Sequence, residues 1–469
     1  MHDRPKEACG VFGVYSPGED VARVTFFGLY ALQHRGQESA GIASTNGSRI
    51  YLQTGMGLVS QVFDERRLQQ LDGHIAIGHT RYSTTGSSTE NNAQPFLVEG
   101  VAGQLALAHN GNAINAEHLQ SELIGKGCHF SSSTDSEVIA KLIVEEPGKD
   151  WPDRIRPVMR RVEGAYCLVM MTKEALIGVR DPLGVRPLSL GKLGNGWILA
   201  SETCALDHLG AEFVRDVEPG EIVYIDHNGV TSYKNPEQHP RAFCVFEYVY
   251  FARPDSILNG KLTYIARERM GAKLAEEHPV EADLVIGTPD SAIPAAIGYS
   301  KRSGIPYSEG IIKNRYVGRT FIQPDQRIRE LGVQLKFNTL HDVLKGKRVI
   351  VVDDSIVRGT TTPRVVSLLR KAGATEVHMR ICSPPIQNPC FFGVDMASKR
   401  ELIAAYKSVK EIEAFIGADS LGYLSVEGLQ EAVGLPRNNL CMACLTGEYP
   451  IPVQLEMDKL ALELQPVNG

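Results

Sequence analysis

The chain has 469 residues, of which 43% are hydrophobic and 22% charged, a globular composition long enough for two or more cores. With 49 basic and 55 acidic residues the net charge is −6, which gives no electrostatic footprint for nucleic acid. No apolar run is long enough to suggest a membrane span, and residues 1–8 lack the apolar core of a signal peptide, so a cytoplasmic protein is expected. Glycine-punctuated strands are predicted at 10–15, 49–53, 74–80, 105–109, 165–171, 175–180 and 197–201, with helices at 21–32 and 135–145 between them. This is the pattern of a layered, largely antiparallel α+β domain. A polar, proline-containing stretch near 233–240 reads as a linker. Beyond it the pattern changes: 284–287 and 348–353 are short continuous apolar strands, the signature of a parallel sheet buried on both faces. A helix at 362–374, with Pro363 in its first turn, and a strand at 377–381 complete a doubly wound α/β pattern. The final residues read as a frayed tail.

The most specific local signal is Val349-Ile-Val-Val-Asp-Asp-Ser-Ile-Val-Arg-Gly-Thr-Thr361. An apolar strand ends in two acids, and a glycine- and hydroxyl-bearing loop then opens a helix whose first N–H groups are unpaired. Gly359 allows close backbone approach, and Thr360 and Thr361 can donate to a phosphate. Two carboxylates beside a phosphate repel it unless they hold sugar hydroxyls or a hard cation such as Mg²⁺. That combination suits a ribose 5-phosphate carrying a metal-bound pyrophosphate; a solvated acidic turn is the plainer alternative. The loop Gly287-Thr-Pro-Asp-Ser-Ala292 suits the pyrophosphate end, with Ser291 near the metal. The cation-rich stretch 313–330 reads as a flap over an anionic substrate, or else as a surface loop. The first run resembles the fingerprint of type I phosphoribosyltransferases. The resemblance implies phosphoribosyl pyrophosphate (PRPP) binding by Asp290, Ser291, Asp353, Asp354, Ser355, Arg358, Gly359, Thr360 and Thr361, with Ser291, Asp353 and Asp354 at Mg²⁺.

Cys9 alone is a weak signal, but Leu32-Gln-His-Arg-Gly-Gln-Glu-Ser-Ala-Gly41, His79-Thr-Arg-Tyr-Ser-Thr84, His109-Asn-Gly-Asn112 and Ser133-Thr-Asp-Ser-Glu137 accompany it. Arg180-Asp-Pro-Leu-Gly-Val-Arg-Pro-Leu188 and Ser201-Glu-Thr-Cys-Ala-Leu-Asp207 extend the set, which resembles class II glutamine amidotransferases over nearly all of the first 235 residues. The resemblance implies an N-terminal-nucleophile fold of four αββα layers. Amide hydrolysis needs a nucleophile, a base and an oxyanion hole. An N-terminal cysteine can use its own α-amine as the base, whose pKa of about 8 suits proton transfer near neutrality. Asn110 and Gly111 are the expected oxyanion donors. Arg81 and Asp135 are expected to pair with the α-carboxylate and α-ammonium of glutamine, and Arg35 and Gly36 to shape the pocket. Cys9 is not residue 1, so residues 1–8 are expected to be a removable propeptide; a tag or disordered tail is the other reading.

Nine cysteines, an odd number, do not read as a disulfide framework. Cys128, Cys167 and Cys204 read as core or near-core residues. Cys441-Met-Ala-Cys444 with the isolated Cys244 and Cys390 could hold Zn²⁺ or an iron–sulfur cluster, and spacing does not choose between them. The segments Cys244-Val-Phe-Glu-Tyr-Val-Tyr-Phe-Ala-Arg-Pro-Asp-Ser256, Asn388-Pro-Cys-Phe-Phe-Gly393 and Cys441-Met-Ala-Cys-Leu-Thr-Gly447 resemble the cluster-bearing, propeptide-bearing branch of the amidophosphoribosyltransferase family. This implies a [4Fe–4S] cluster on Cys244, Cys390, Cys441 and Cys444, with Cys382 a rival ligand expected to pack instead. The implied organisation is a propeptide at 1–8, a glutaminase domain at 9–235, a phosphoribosyltransferase domain at 236–460 and a tail at 461–469. The implied activity makes 5-phosphoribosylamine from glutamine and PRPP, the committing step of purine synthesis. Feedback inhibition by purine nucleotides and a homotetramer are implied with it. A different class II amidotransferase, such as a sugar-phosphate aminating synthase, would carry sugar-isomerase domains in its second half. A nucleotide-sensing regulator with a PRPP-like fold would have lost Cys9, Asp135 or the acidic pair.

Overall fold

The strand Gly10–Tyr15 is buried along its whole length because it lies inside a seven-stranded antiparallel sheet. Across that sheet the order is Glu212–Asp216, Ser189–Leu193, Gly196–Ala200, Gly10–Tyr15, Ile75–Arg81, Ser39–Thr45, Ile50–Met56. A second antiparallel sheet of six strands runs Gly229–Tyr233, Ile222–Asp226, Leu176–Arg180, Gly164–Met171, Gly103–Ala113, Phe96–Gly100. Alternate side chains of the two sheets meet between them: Val11, Ile75 and Ile77 from one, Ala106, Ala108, Val169 and Val223 from the other. The outer faces are covered by helices, Val21–Ala31 and Thr203–His208 on the first sheet and Asp135–Glu145 and Trp151–Arg161 on the second. The result is the expected αββα stack. This computed structural model describes residues 9–82, 86–234, 239–314, 337–396, 398–453 and 462–463. The expected propeptide at 1–8, part of the linker at 235–238, the flap from 315 onward and the end of the tail at 464–469 lie outside the described residues.

The second half is built on a parallel sheet in the order Leu284–Gly287, Arg348–Asp353, Glu376–Ile381, Ser420–Tyr423. Both faces are buried, which explains the uninterrupted apolar runs. Val285, Ile350 and Val352 pack on the helices Thr263–Glu277 and Ile293–Ser303. Ile286, Val349, Val351 and Met379 pack on Thr362–Lys371 and Val409–Ile416. Each such fully buried aliphatic side chain contributes roughly 1.5–3 kcal/mol of transfer free energy. The expected helix at 362–374 ends at Lys371, because Gly373 takes φ +96°, which the helix cannot continue through. Ile311–Lys313 and Phe337–Thr339 pair antiparallel at the base of the expected flap. The two halves share a core in which Leu183 and Val185 pack with Phe243–Phe246 and the four candidate ligand cysteines. Cys167, Cys204 and Cys382 are buried, Cys382 at the end of its strand as expected, and Cys128 is half-buried. Among the described residues no helix is long and apolar enough to cross a membrane.

Candidate active sites

Cys9 enters the first sheet one residue before Gly10–Tyr15, and its thiol donates to the Tyr82 carbonyl at 3.2 Å. Burial pushes the thiol pKa up, opposed by the hydrogen bond at Tyr82 and the charge of Arg81. A small pocket is lined by Cys9, Arg81, Tyr82, Gln94, His109, Gly111, Thr134, Asp135 and Ser136. Four residues expected from the sequence, Cys9, Arg81, Gly111 and Asp135, therefore meet in one cavity. Asp135 opens the helix Asp135–Glu145, where the positive end of the helix dipole favours a carboxylate. Its Oδ2 accepts from the Ala113 N–H at 2.9 Å, tying helix to strand. Gln94, His109 and Ser136 lock the same junction: Gln94 Oε1 accepts from the His109 N–H, and its Nε2 donates to Ser136 Oγ. His109 Nδ1 lies 3.0 Å from that hydroxyl, and burial holds the imidazole pKa below its usual value. The motif residues were visible in the sequence, but this bracing role for Gln94, His109 and Ser136 was not, since it depends on strand and helix meeting.

Asn110 is fully buried, and neither polar atom of its side chain has a hydrogen-bond partner among the described residues. An orphaned buried amide costs about 1–3 kcal/mol unless a ligand satisfies it. An amide so placed has its N–H groups available to a ligand oxygen. Gly111 has φ +151°, and a Cβ there would lie 2.0 Å from the Ala165 carbonyl oxygen. Gly111→Ala is therefore expected to lose roughly 1–3 kcal/mol to backbone strain, and glutaminase activity with it. A thermal melt checks this, and a variant as stable and active as its parent would contradict it.

Arg35 does not line the pocket. It is fully buried, its Nε donating to the Cys9 carbonyl at 3.1 Å and its guanidinium held by Glu202 and Glu247. Gly36 packs against the Thr80–Arg81 main chain, where a Cβ would meet the Thr80 carbonyl at 2.6 Å.

At the carboxyl end of the parallel sheet, Gly287 pairs with Val352, so the two loops following these strands lie side by side. Ser291 Oγ donates to Asp354 Oδ2 at 2.5 Å, and Ser355 Oγ to Asp354 Oδ1 at 2.7 Å. Asp353 accepts from the Asp354 N–H at 2.9 Å, and both acids are buried. Gly359 takes φ +70°, Thr360 is exposed, and Thr361 stands at the N-cap position of the helix Thr362–Lys371. Arg358 pairs with Glu401, and Asp290 with Lys313 at 2.5 Å. The loops expected at PRPP thus converge, whereas Arg358 and Asp290 are engaged with protein partners.

Cys244 and Cys441 are in register on two short parallel strands, and the Cys444 carbonyl accepts from the N–H groups of Gln387 and Asn388. Burial pushes the Cys244 thiol up to about 11, with Arg186 pulling against it. The thiols of Cys244, Cys390 and Cys441 each raise the pKa of Cys444, so all four lie within electrostatic reach of one another. Among the described residues no group of three or more His, Cys, Asp or Glu side chains already stands in metal-holding geometry.

Comparison with known proteins gives the same two halves. A family model described as a glutamine amidotransferase domain matches residues 79–208, and one described as a phosphoribosyl transferase domain matches 254–387. Amidophosphoribosyltransferase of Synechococcus elongatus is 56% identical, covering 100% of this chain and 96% of the relative.

The chain belongs to the amidophosphoribosyltransferase family.

The Methanocaldococcus jannaschii relative of the same name is 51% identical over 96% of this chain and 98% of its own. In fold, the chain matches the glutamine PRPP amidotransferase of B. subtilis, solved with ADP and GMP, with a TM-score of 0.91. It is 46% identical to that enzyme, covering 97% of this chain and 100% of the other.

Proposed function

We propose that this chain makes 5-phosphoribosylamine from glutamine and PRPP, releasing glutamate and pyrophosphate, as the first committed step of purine synthesis. The observation that carries the reading is the meeting of Cys9, Arg81, Gly111 and Asp135 in one cavity of a chain that also bears the Asp353–Asp354 loop. A sugar-phosphate aminating synthase would not carry a phosphoribosyltransferase half, and a sensor would not keep this nucleophile and acidic pair.

In this reading residues 1–8 are removed, and the freed α-amine of Cys9 takes the Sγ proton as sulfur attacks the side-chain amide carbon. Asn110 Nδ2 and the Gly111 N–H receive the oxyanion; collapse of the tetrahedral species returns the proton to nitrogen and expels ammonia. Water then cleaves the thioester to glutamate. Arg81 and Asp135 hold the α-carboxylate and α-ammonium. In the second half, Asp353 and Asp354 accept from the ribose hydroxyls, and the loop Ser355–Thr361 offers N–H and hydroxyl groups to the 5-phosphate. Ammonia attacks C1 as the C1–pyrophosphate bond breaks.

Two buried carboxylates with a hydroxyl beside them form an oxygen donor set suited to a hard cation, so in this reading Ser291, Asp353 and Asp354 would hold Mg²⁺. When bound, it would neutralise the leaving pyrophosphate. Four buried or half-buried thiols within one hydrophobic cluster suit a [4Fe–4S] group on Cys244, Cys390, Cys441 and Cys444, which when bound would tie the chain's end to its middle. A homotetramer inhibited by purine nucleotides belongs to the same reading, and the ADP and GMP in the B. subtilis structure support its regulatory part.

The test is assay of 5-phosphoribosylamine formation with glutamine and with ammonia; a protein using neither with PRPP would reject the function. Intact mass of the active protein is expected to place Cys9 at the N-terminus. Enzyme that retains residues 1–8 is expected to have little glutaminase activity, because an amide nitrogen is not a base. Metal analysis is expected to give about four iron and four sulfide per chain, and stoichiometric zinc without iron would overturn the cluster assignment.

A further inference from the structure

Four charged side chains, Arg35, Glu202, Arg186 and Glu247, lie fully buried where the two halves of the chain meet. Arg35 donates through Nη1 to Glu202 at 2.5 Å, and through both Nη atoms to Glu247 at 3.0 and 2.8 Å. Its Nε reaches the main-chain carbonyl of Cys9 at 3.1 Å. Glu247 sits at the start of the π-helical segment Glu247–Phe251, in the second half of the chain. It also takes Arg186 Nη1 at 3.2 Å, while Arg186 Nη2 holds the Phe392 carbonyl. Burying charges is expensive, and such a set survives only with tight pairing and good geometry. Here burial works against Arg35, yet Glu247 and Glu202 outweigh it and raise its pKa. A planar guanidinium held by two carboxylates has no freedom to swing. Its Nε therefore fixes the peptide plane that carries Cys9.

We infer that Glu247 is a positioning residue for the glutaminase reaction, contributed by the phosphoribosyltransferase half: through Arg35 it orients the Cys9 main chain, and hence the α-amine and sulfur, toward the pocket. This rests on the glutaminase reading of Cys9. Glu247 touches no substrate and takes no proton. Its effect is on the approach of Sγ to the amide carbon, where small displacements cost large rate factors. It also makes the geometry of the ammonia-producing site depend on seating of the second half.

The test uses the full, processed chain carrying Glu247→Gln, and in parallel Arg35→Lys, which keeps the charge but loses the Nε contact to Cys9. Glutamine-dependent kcat is expected to fall on the order of tenfold to a hundredfold in both variants, with KM for glutamine changed far less. Synthesis from ammonia is expected to persist within about twofold of the parent, since it bypasses Cys9. Glu247→Asp, which keeps the charge at shorter reach, is expected to recover part of the loss. Unchanged glutamine kcat overturns the inference. So does parallel loss of both activities in both variants, which would make the ion-pair set a structural pillar only. If the loss follows depletion of iron from the purified variants, Glu247 acts on the neighbouring cysteines instead and the inference fails. Failure of the underlying glutaminase reading would look different: Cys9→Ala would keep its glutamine-dependent activity.

Discussion

Cys9→Ala is expected to lower glutamine-dependent synthesis by roughly 10³-fold or more, while synthesis from ammonia stays within about twofold of the parent. The substitution removes Sγ and leaves Cβ. The fold loses the two contacts of the thiol with Tyr82, its donation to the Tyr82 carbonyl at 3.2 Å and its acceptance from the Tyr82 N–H at 3.4 Å, each worth about 1 kcal/mol. The large, selective effect follows from geometry: Cys9 lies in the αββα half, whereas Asp353 and Asp354 end a strand of a different sheet. In the proposed mechanism, removing the nucleophile stops ammonia production without touching the loop that uses ammonia. Initial rates with each nitrogen source, alongside a circular dichroism spectrum, decide the matter. A folded Cys9→Ala protein that has lost both activities would show that the two chemistries are not divided between the halves.

The double change Asp353→Asn with Asp354→Asn should act in the opposite way, reducing turnover of PRPP with either nitrogen source. Each carboxylate-to-hydroxyl hydrogen bond is worth about 1.5–3 kcal/mol when charged. Losing two therefore predicts a fall in kcat/KM for PRPP on the order of 10²–10⁴. Asparagine keeps the side-chain shape. Of Ser291 Oγ and Ser355 Oγ, which now donate to the two different oxygens of Asp354, one can still donate to the amide oxygen at 354 while the other turns to accept from its NH2. The main-chain N–H of residue 354 can still donate to the amide oxygen at 353. The loop is thus expected to stay folded, which a thermal melt would verify. The opposing expectation is equally sharp. In a cleft that only attracted phosphate, removing two negative charges would tighten PRPP binding. Stronger PRPP binding with normal turnover in the double variant would reject the hydroxyl and cation roles given to these acids.

Much of this architecture was legible along the chain because its signals are local. Gly10–Tyr15, Asp135–Glu145, Leu284–Gly287 and Arg348–Asp353 fall at their expected bounds, since each is an uninterrupted apolar or amphipathic run with clear punctuation. Strands such as Ser39–Thr45 and Phe96–Gly100 escaped notice. The first, Ser-Ala-Gly-Ile-Ala-Ser-Thr, is fully buried between two neighbouring strands, so small residues fit where bulky β-branched ones would normally mark a strand. The pocket residues Cys9, Arg81, Gly111 and Asp135 lie in motifs whose chemistry is explicit: a thiol, a cation, a glycine that opens its main chain to a ligand, and an anion.

By itself, the sequence determined the order of the two halves and the acidic strand end, and it marked Cys9 as the proposed nucleophile, since each is written in contiguous residues. Only the tertiary structure decided what Arg35 does. It was expected to shape the glutamine pocket, yet it is withdrawn into a buried ion-pair set with Glu247, 212 residues away. No periodicity reports such a pair. A buried guanidinium takes whichever carboxylate can offset its desolvation, and that partner is supplied by the docking of one core on the other. The gathering of Cys244, Cys390, Cys441 and Cys444 has the same origin. Their proximity comes from the parallel pairing of Phe243–Cys244 with Leu440–Cys441 and from the loops packed over it, contacts that exist only once distant segments have folded together.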